Sequence, residues 1–472
     1  MRYFTLLSLP LLACTASSNP EDINPNLVGD SDRPAWNPDP QTISNESSSQ
    51  NSVAWTPASD DGYQVDHYRL LSREIISGIE TTVEIASSES EYTFTDLKSD
   101  SEYEHSITAC LTEDCSEIAE VAVNDDDVEN NYWLLKTAPE RWTFFQNSSR
   151  SNFQVSFLNA KDPSILVFEN TEGSDDGRVI LSYTDTNTGS VHFGDVELPI
   201  QNPSDSLAVS TYVGQGLVPG LYLSHYTASQ LKPFEHDGQL NMMMFFSFER
   251  TDESTHIGFI SNARDFEIDF GGECSPLDGS NCAMQSCFAS EEIDIGTLSS
   301  FHVAWESFGL DNMGAKEEPI LIVEGRQTSQ DEGSLFLASQ QDGEWTLNSD
   351  ENNYPRKWIR NAQKAAVLNY SPGYSKLYYQ STLNSSLNLL YWQADSTGET
   401  NVYDFDDLED SSLARKIELI DAEGNALPEE MLERIGNYHI FTHPIDQKQY
   451  LLYTILHQDS PVGLGLAHLS NP

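Results

Sequence analysis

Six cysteines carry the most reactive side chains in the 472-residue chain, and their spacing sorts them into three groups. Cys14 stands alone behind an apolar run. Cys110 and Cys115 enclose four residues, and Cys274, Cys282 and Cys287 fall within 14 residues. No histidine lies beside them at zinc-finger spacing, so local disulfides are expected, as suits an oxidising compartment. A Cys110–Cys115 bridge would pin one turn. In the triplet one thiol is left over, and the spacing leaves open which. His225, His236, His256, His302, His439 and His443 show no metal spacing, and the acidic cluster Asp125-Asp126-Asp127 has no EF-hand frame. Nucleophile-elbow, P-loop, H-E-x-x-H and dinucleotide patterns are absent as well. No metal and no cofactor are therefore expected.

The surroundings of Cys14 suggest a different fate for its thiol. Arg2 precedes an apolar run, Tyr3 to Ala13, that is too short for a bilayer span of about 20 residues and has the layout of a signal peptide. Leu11-Leu12-Ala13-Cys14 resembles the lipobox of bacterial lipoproteins. That resemblance implies cleavage after residue 13, acylation of Cys14 and a lipid bilayer as the first partner, since two or three acyl chains hold where one is marginal. Thr15 rather than aspartate follows, which points to the outer membrane.

Composition excludes some partners. The chain has 75 acidic against 24 basic residues, a formal charge of -51, which argues against nucleic acid and anionic headgroups. Such a surface suits a salty medium that screens its self-repulsion. Oligomeric state leaves no mark in the sequence.

The elements that must position any site read as β throughout. Residues 14–50, rich in Ser, Asn, Asp and Pro, read as a flexible tether. In 51–123 short alternating strands follow one another between Ser/Asp/Gly turns, the pattern of a β-sandwich. Trp55, Tyr68, Leu97 and Tyr103 occur there at spacings that resemble the core of a fibronectin type III domain, with Tyr103 as the tyrosine corner. Residues 124–131 read as an acidic linker.

From 132 to 472 a unit recurs five times: a turn, an aromatic-rich strand, a polar loop, then a second strand. Its copies include Ile165-Leu166, Met242 to Phe248, Ile320 to Val323, Leu377 to Tyr379 and Tyr450 to Thr454. Five such units predict a five-bladed β-propeller, with a jelly roll or double sandwich as the alternative. The fold class is thus all-β, a fibronectin type III sandwich followed by a five-bladed propeller. Trp142, Trp305, Trp345, Trp358 and Trp392 are expected to wedge between blades.

Within this repeat, Lys161-Asp162-Pro163-Ser164-Ile165 resembles the first-blade motif of five-bladed glycoside hydrolases of the arabinanase and β-xylosidase type. The resemblance implies Asp162 as general base and Glu306, in Ala304-Trp305-Glu306-Ser307-Phe308, as general acid. One carboxylate would activate water while the other protonates the leaving oxygen. The family's third acid, after a proline opening the second blade, is missing: Phe234 follows Pro233. The expected function is therefore polysaccharide recognition by a membrane-anchored lipoprotein with little or no hydrolysis. Two alternatives stand beside it: an active inverting glycosidase, and a non-catalytic protein-binding scaffold.

Overall fold

The computed structural model describes residues 35–471 except 45–46, 77, 124–130, 148–151, 169–177, 189–190, 197–208, 213–225, 237–238, 250–254, 265–266, 269–283, 290–296, 306–318, 327–332, 342–343, 348–357, 372–373, 394–413 and 445, and describes the backbone alone in 166, 168, 178, 180, 191–195, 209–321, 326, 337–341, 344–347, 369–371, 374–375 and 392–393. Two all-β units follow one another.

The first is a sandwich. β1 (Gln41–Ser44), β2 (Asn51–Ala54) and β5 (Glu91–Phe94) form one sheet. β3 (His67–Glu74), β4 (Glu80–Ala86), β6 (Glu102–Cys110) and β7 (Tyr132–Lys136) form the other, in the order β4-β3-β6-β7. The strands alternate in burial because one face packs inward while the other meets water; β7 is the clearest case, with Trp133 and Leu135 buried and their neighbours exposed. Trp36, Trp55, Tyr68, Leu97, Tyr103 and Trp133 share the core. Tyr103 is the corner the sequence suggests: its hydroxyl accepts the Lys98 N–H at 2.7 Å. Cys110 and Cys115 are joined by a disulfide that closes the turn after β6.

Both edges of this unit differ from the sequence reading. Trp36 is fully buried and β1 pairs with β2, so the ordered sandwich starts well before residue 51. At the other end the final strand is split. Ile118 bridges Cys110 and Val121 bridges Trp36, and then Tyr132–Lys136 resumes pairing along β6. The acidic 124–131 stretch thus interrupts the last sandwich strand, and the passage to the second unit is the short 137–139 segment.

The second unit is the propeller. Blade 1 is β10 (Ala160–Phe168), β11 (Arg178–Asp185), β12 (Val191–Val196) and β13 (Val209–Tyr212). Blade 2 is β14 (Tyr226–His236), β15 (Gln239–Glu249), β16 (Thr255–Arg264), β17 (Glu267–Ile268) and β18 (Met284–Ala289). Blade 3 is β19 (Thr297–Trp305), β20 (Pro319–Arg326), β21 (Ser334–Gln341), β22 (Glu344–Leu347) and β23 (Ile359–Arg360). Blade 4 is β24 (Ala362–Ser371), β25 (Tyr374–Ser381), β26 (Leu387–Gln393) and β27 (Arg415–Ile420). Blade 5 is β28 (Ile435–Thr442), β29 (Gln449–His457) and β30 (Ser460–Leu469), completed by β8 (Glu140–Phe144) from the start of the unit, with β9 (Phe157–Leu158) at its side. A helical turn, α1 (Glu429–Leu432), precedes β28.

The first strands of successive blades pack in a closed cycle: β10 on β14, β14 on β19, β19 on β24, β24 on β28 and β28 back on β10. That cycle is the propeller axis. It explains why β29 is buried on both faces, with Tyr450 to Ile455 an unbroken buried run: a blade has a neighbouring blade on each side. Trp142 is wholly buried in the cluster between blades 4 and 5, and Trp358 is buried beside Val367 and Leu377.

Candidate functional site

Each of the five inner strands carries one extra residue near its start, so that its ladder steps out of register. Such bulges turn side chains away from the ordinary pleat and cluster at barrel rims and sites. In blade 1 the bulge holds Asp162 and Pro163 opposite Tyr183. In blade 4 it holds Lys364 and Ala365 opposite Tyr379, and in blade 5 Gly436 and Asn437 opposite Thr454. The pairing places Ala228 at this position in blade 2 and Ser299 in blade 3. Five bulges around one axis define the candidate site; Gly436 is in step with Asp162 and Lys364, and Asn437 stands one residue further along.

Asp162 sits in the left-handed region at φ 51°, where aspartate is among the few side chains tolerated. It is 8% exposed. Its carboxylate accepts Asn437 Nδ2 at 2.6 Å, and Lys161 Nζ lies 3.7 Å from the other oxygen. Its N–H donates to Thr454 Oγ1 at 2.9 Å. Gly436, before Asn437, is required by closeness: a Cβ there would lie 2.8 Å from Thr454 Cβ. Blades 1 and 5 are therefore locked together at Asp162.

Lys364 is the matching residue of blade 4, also left-handed at φ 54°. Its N–H donates to Glu324 Oε2 at 2.9 Å, and its ammonium donates to the Ile435 carbonyl at 2.6 Å. Burial lowers its pKa to about 8, partly offset by Glu324. Tyr438, buried alongside, has its hydroxyl pushed well above the usual range by burial and then by the nearby Glu324 carboxylate. Glu324 lies in β20 directly after the apolar run Ile320 to Val323, and that lone charge behind an apolar run was the signal that could have marked it in the sequence.

The structure places the expected residues unevenly. Asp162 is on the axis. Glu306 lies outside the described residues; Trp305 before it ends β19, the far end of that strand from the Ser299 bulge. Phe234 follows Pro233 deep in β14, where they pair with Asn241 and Met242, so Ala228 rather than Phe234 is blade 2's counterpart of Asp162. Cys14, Cys274 and Cys282 lie outside the described residues, and Cys287 is in β18, described as backbone. Among the described residues the bulges carry one carboxylate, Asp162, one amine, Lys364, and one amide, Asn437, with the Glu324 carboxylate against the Lys364 N–H. Donors and acceptors are thus gathered there, and Asp162 is the one carboxylic acid among the five bulge residues named.

Fibronectin type III domain is the family that matches residues 37–121. No curated protein matches the chain. Among solved structures, a GH43_1 enzyme from Xanthomonas citri complexed with xylose is similar at 11% identity over 67% of this chain and 89% of that one, with a TM-score of 0.37. An alpha-L-arabinofuranosidase from Lactobacillus brevis is similar at 11% identity over 67% and 92%, with a TM-score of 0.38. The fn3 domain of human collagen alpha-1(XX) chain is similar at 22% identity over 21% and 80%, with a TM-score of 0.15.

Proposed function

We propose that this chain is a lipid-anchored envelope protein whose propeller binds a polysaccharide at the ring of inner-strand bulges without cleaving it. The observation that carries the reading is the composition of that ring. The bulges of blades 1, 4 and 5 carry Asp162, Lys364 and, one residue further along its bulge, Asn437, while Ala228 and Ser299 mark the bulges of blades 2 and 3. Hydrolysis with inversion requires an acid and a base carboxyl about 6.5–9.5 Å apart. Binding requires only donors and acceptors held in place, which the ring supplies.

The test is a titration of the soluble chain with pentose polysaccharides, the class implied by the sequence resemblance, alongside an assay for released reducing ends. Binding that Asp162→Ala weakens at least tenfold, with no released sugar, supports the reading. Sugar release abolished by both Asp162→Ala and Glu306→Ala would instead make it an inverting hydrolase. Absence of binding and release together would leave the scaffold reading.

The anchor belongs to the same proposal. Acylation of Cys14 would place the chain on a membrane, with the outer membrane as the address. Radiolabelled palmitate incorporated by the full precursor and lost in Cys14→Ser tests it; equal labelling of the two would overturn it.

A further inference from the structure

A cavity of about 340 Å³ opens where the two units meet, away from the propeller axis. Its walls come from the facing edges of the sandwich sheets, through Thr81 and Val83 of β4 and Tyr92 and Phe94 of β5, and from one propeller residue, Tyr391 of β26. Neither β4 nor β5 pairs beyond its own sheet, so the gap between these edges is the mouth.

The walls are built rather than incidental. The Tyr391 hydroxyl accepts the Ser99 N–H at 2.7 Å and donates to Ser99 Oγ at 3.1 Å, which fixes its ring against the sandwich. Tyr92 and Phe94 meet edge to face at 5.0 Å between centroids. At the back, Glu74 is buried and bridges Lys98 Nζ at 2.6 Å and Arg415 Nη2 at 3.3 Å. The charged lining residues are Glu74, Asp96 and Lys98, and with Arg415 behind the wall on Glu74 the acids and cations around the cavity are equal in number. In a chain carrying a net charge of -51, this place is locally balanced.

We infer that this junction is a second binding site, and that its ligand is a neutral sugar ring. The volume is at the low end of small-molecule sites, which span about 300–1,000 Å³, and suits one ring rather than a chain. The Tyr92 ring fits the apolar face of a sugar, and the hydroxyls of Thr81, Thr95 and Ser72 with the Asp96 carboxylate fit its rim, while Tyr391, with Lys98 and Lys376 Nζ over its ring, closes the wall. Local charge balance disfavours an anionic or cationic ligand. The site does not depend on the propeller ring binding anything.

The experiment is saturation-transfer NMR on the full soluble chain with D-xylose, D-glucose and D-glucuronate, in wild type and in Asp162→Ala. Saturable signal from a neutral sugar should survive Asp162→Ala. Adding Tyr92→Ala, or Thr81→Trp at the exposed mouth, should weaken it at least tenfold. Thr81 lies on a solvent-facing edge, so its replacement fills the mouth without entering the core, and near-ultraviolet circular dichroism checks that the fold is kept. The inference is overturned by no saturable signal from either neutral sugar, by signal indifferent to Thr81→Trp and Tyr92→Ala, or by preference for glucuronate. Signal that vanishes in Asp162→Ala alone assigns the sugar to the propeller and overturns the junction site while leaving the ring reading intact.

Discussion

Asn437 Nδ2 and Asp162 Oδ1, on residues 275 positions apart, meet at 2.6 Å and tie the last blade to the first. The bond serves structure and site together, and conservative changes separate the two. Asn437→Ala removes a donor to a charged acceptor and should cost about 1.5–3 kcal/mol in urea unfolding. Asp162→Asn keeps the shape and an acceptor oxygen. Its unfolding midpoint should stay close to wild type while polysaccharide binding falls. Equal loss of both properties in Asp162→Asn would mean that the aspartate only holds the blades.

A buried ion pair fixes the strand that closes the propeller. Glu140 of β8 is wholly buried and accepts Lys376 Nζ at 2.7 Å, the Tyr378 hydroxyl at 3.0 Å and Trp142 Nε1 at 3.1 Å. Lys376→Met leaves a carboxylate in the core without its cation and should destabilise by about 3–5 kcal/mol. Joining Glu140→Gln to it should restore most of that loss. A double variant no more stable than Lys376→Met, in the same denaturant titration, would refute the pairing as the source.

The junction should make the two units melt together. Glu74 binds Arg415 across it, Tyr391 holds Ser99, and Ser48 N–H reaches the Asn471 carbonyl at 3.1 Å. Calorimetry of Arg415→Met with Tyr391→Phe is expected to split one transition into two, the sandwich unfolding several degrees earlier. A profile that keeps the wild-type shape would show the units to be energetically independent.

Acid should attack the sandwich through His105. Its ring is fully buried between Phe94 and Tyr103, at 4.0 and 5.8 Å, with Nε2 3.2 Å from Asn51 Nδ2. Burial lowers its pKa from 6.5 to about 4. Between those values the unfolded chain binds the proton and the folded one does not, so stability drops as pH falls, by about 3 kcal/mol across the full window. His105→Gln, which keeps an amide near Asn51, should flatten this part of the stability–pH curve. An unchanged slope between pH 6.5 and 4 would exclude His105 as its source.

Where local chemistry dictates structure, the sequence was readable. Trp55, Tyr68, Leu97 and Tyr103 are core because large rings at strand spacing have few other places to go, and the blades announced themselves through repeated aromatic strands. The misread parts are those decided at long range. β1 has little apolar alternation, and Trp36 is buried by residues distant in sequence, packing toward Tyr68 and bridging Val121. Tyr132–Lys136 looked detached because an acidic stretch, 124–131, with Val128 its one apolar residue, precedes it, yet β6 still offers it an open edge. On the axis, Asp162 carried a motif, but Lys364 and Asn437 matter only through the bulges that align them, and bulges leave no compositional trace.

The closing strand also sets a timetable. Arg141 N–H bonds the Asn471 side chain across 330 residues, and β8 has no place in blade 5 until β30 exists. During synthesis the sandwich can finish early, its strands being close in sequence, while β8 waits unpartnered for four blades to be made. Long-range closure of this kind is slow and leaves edges open to wrong pairing. The interval between making Phe144 and making Leu469 is therefore when this chain most needs protection from its own copies.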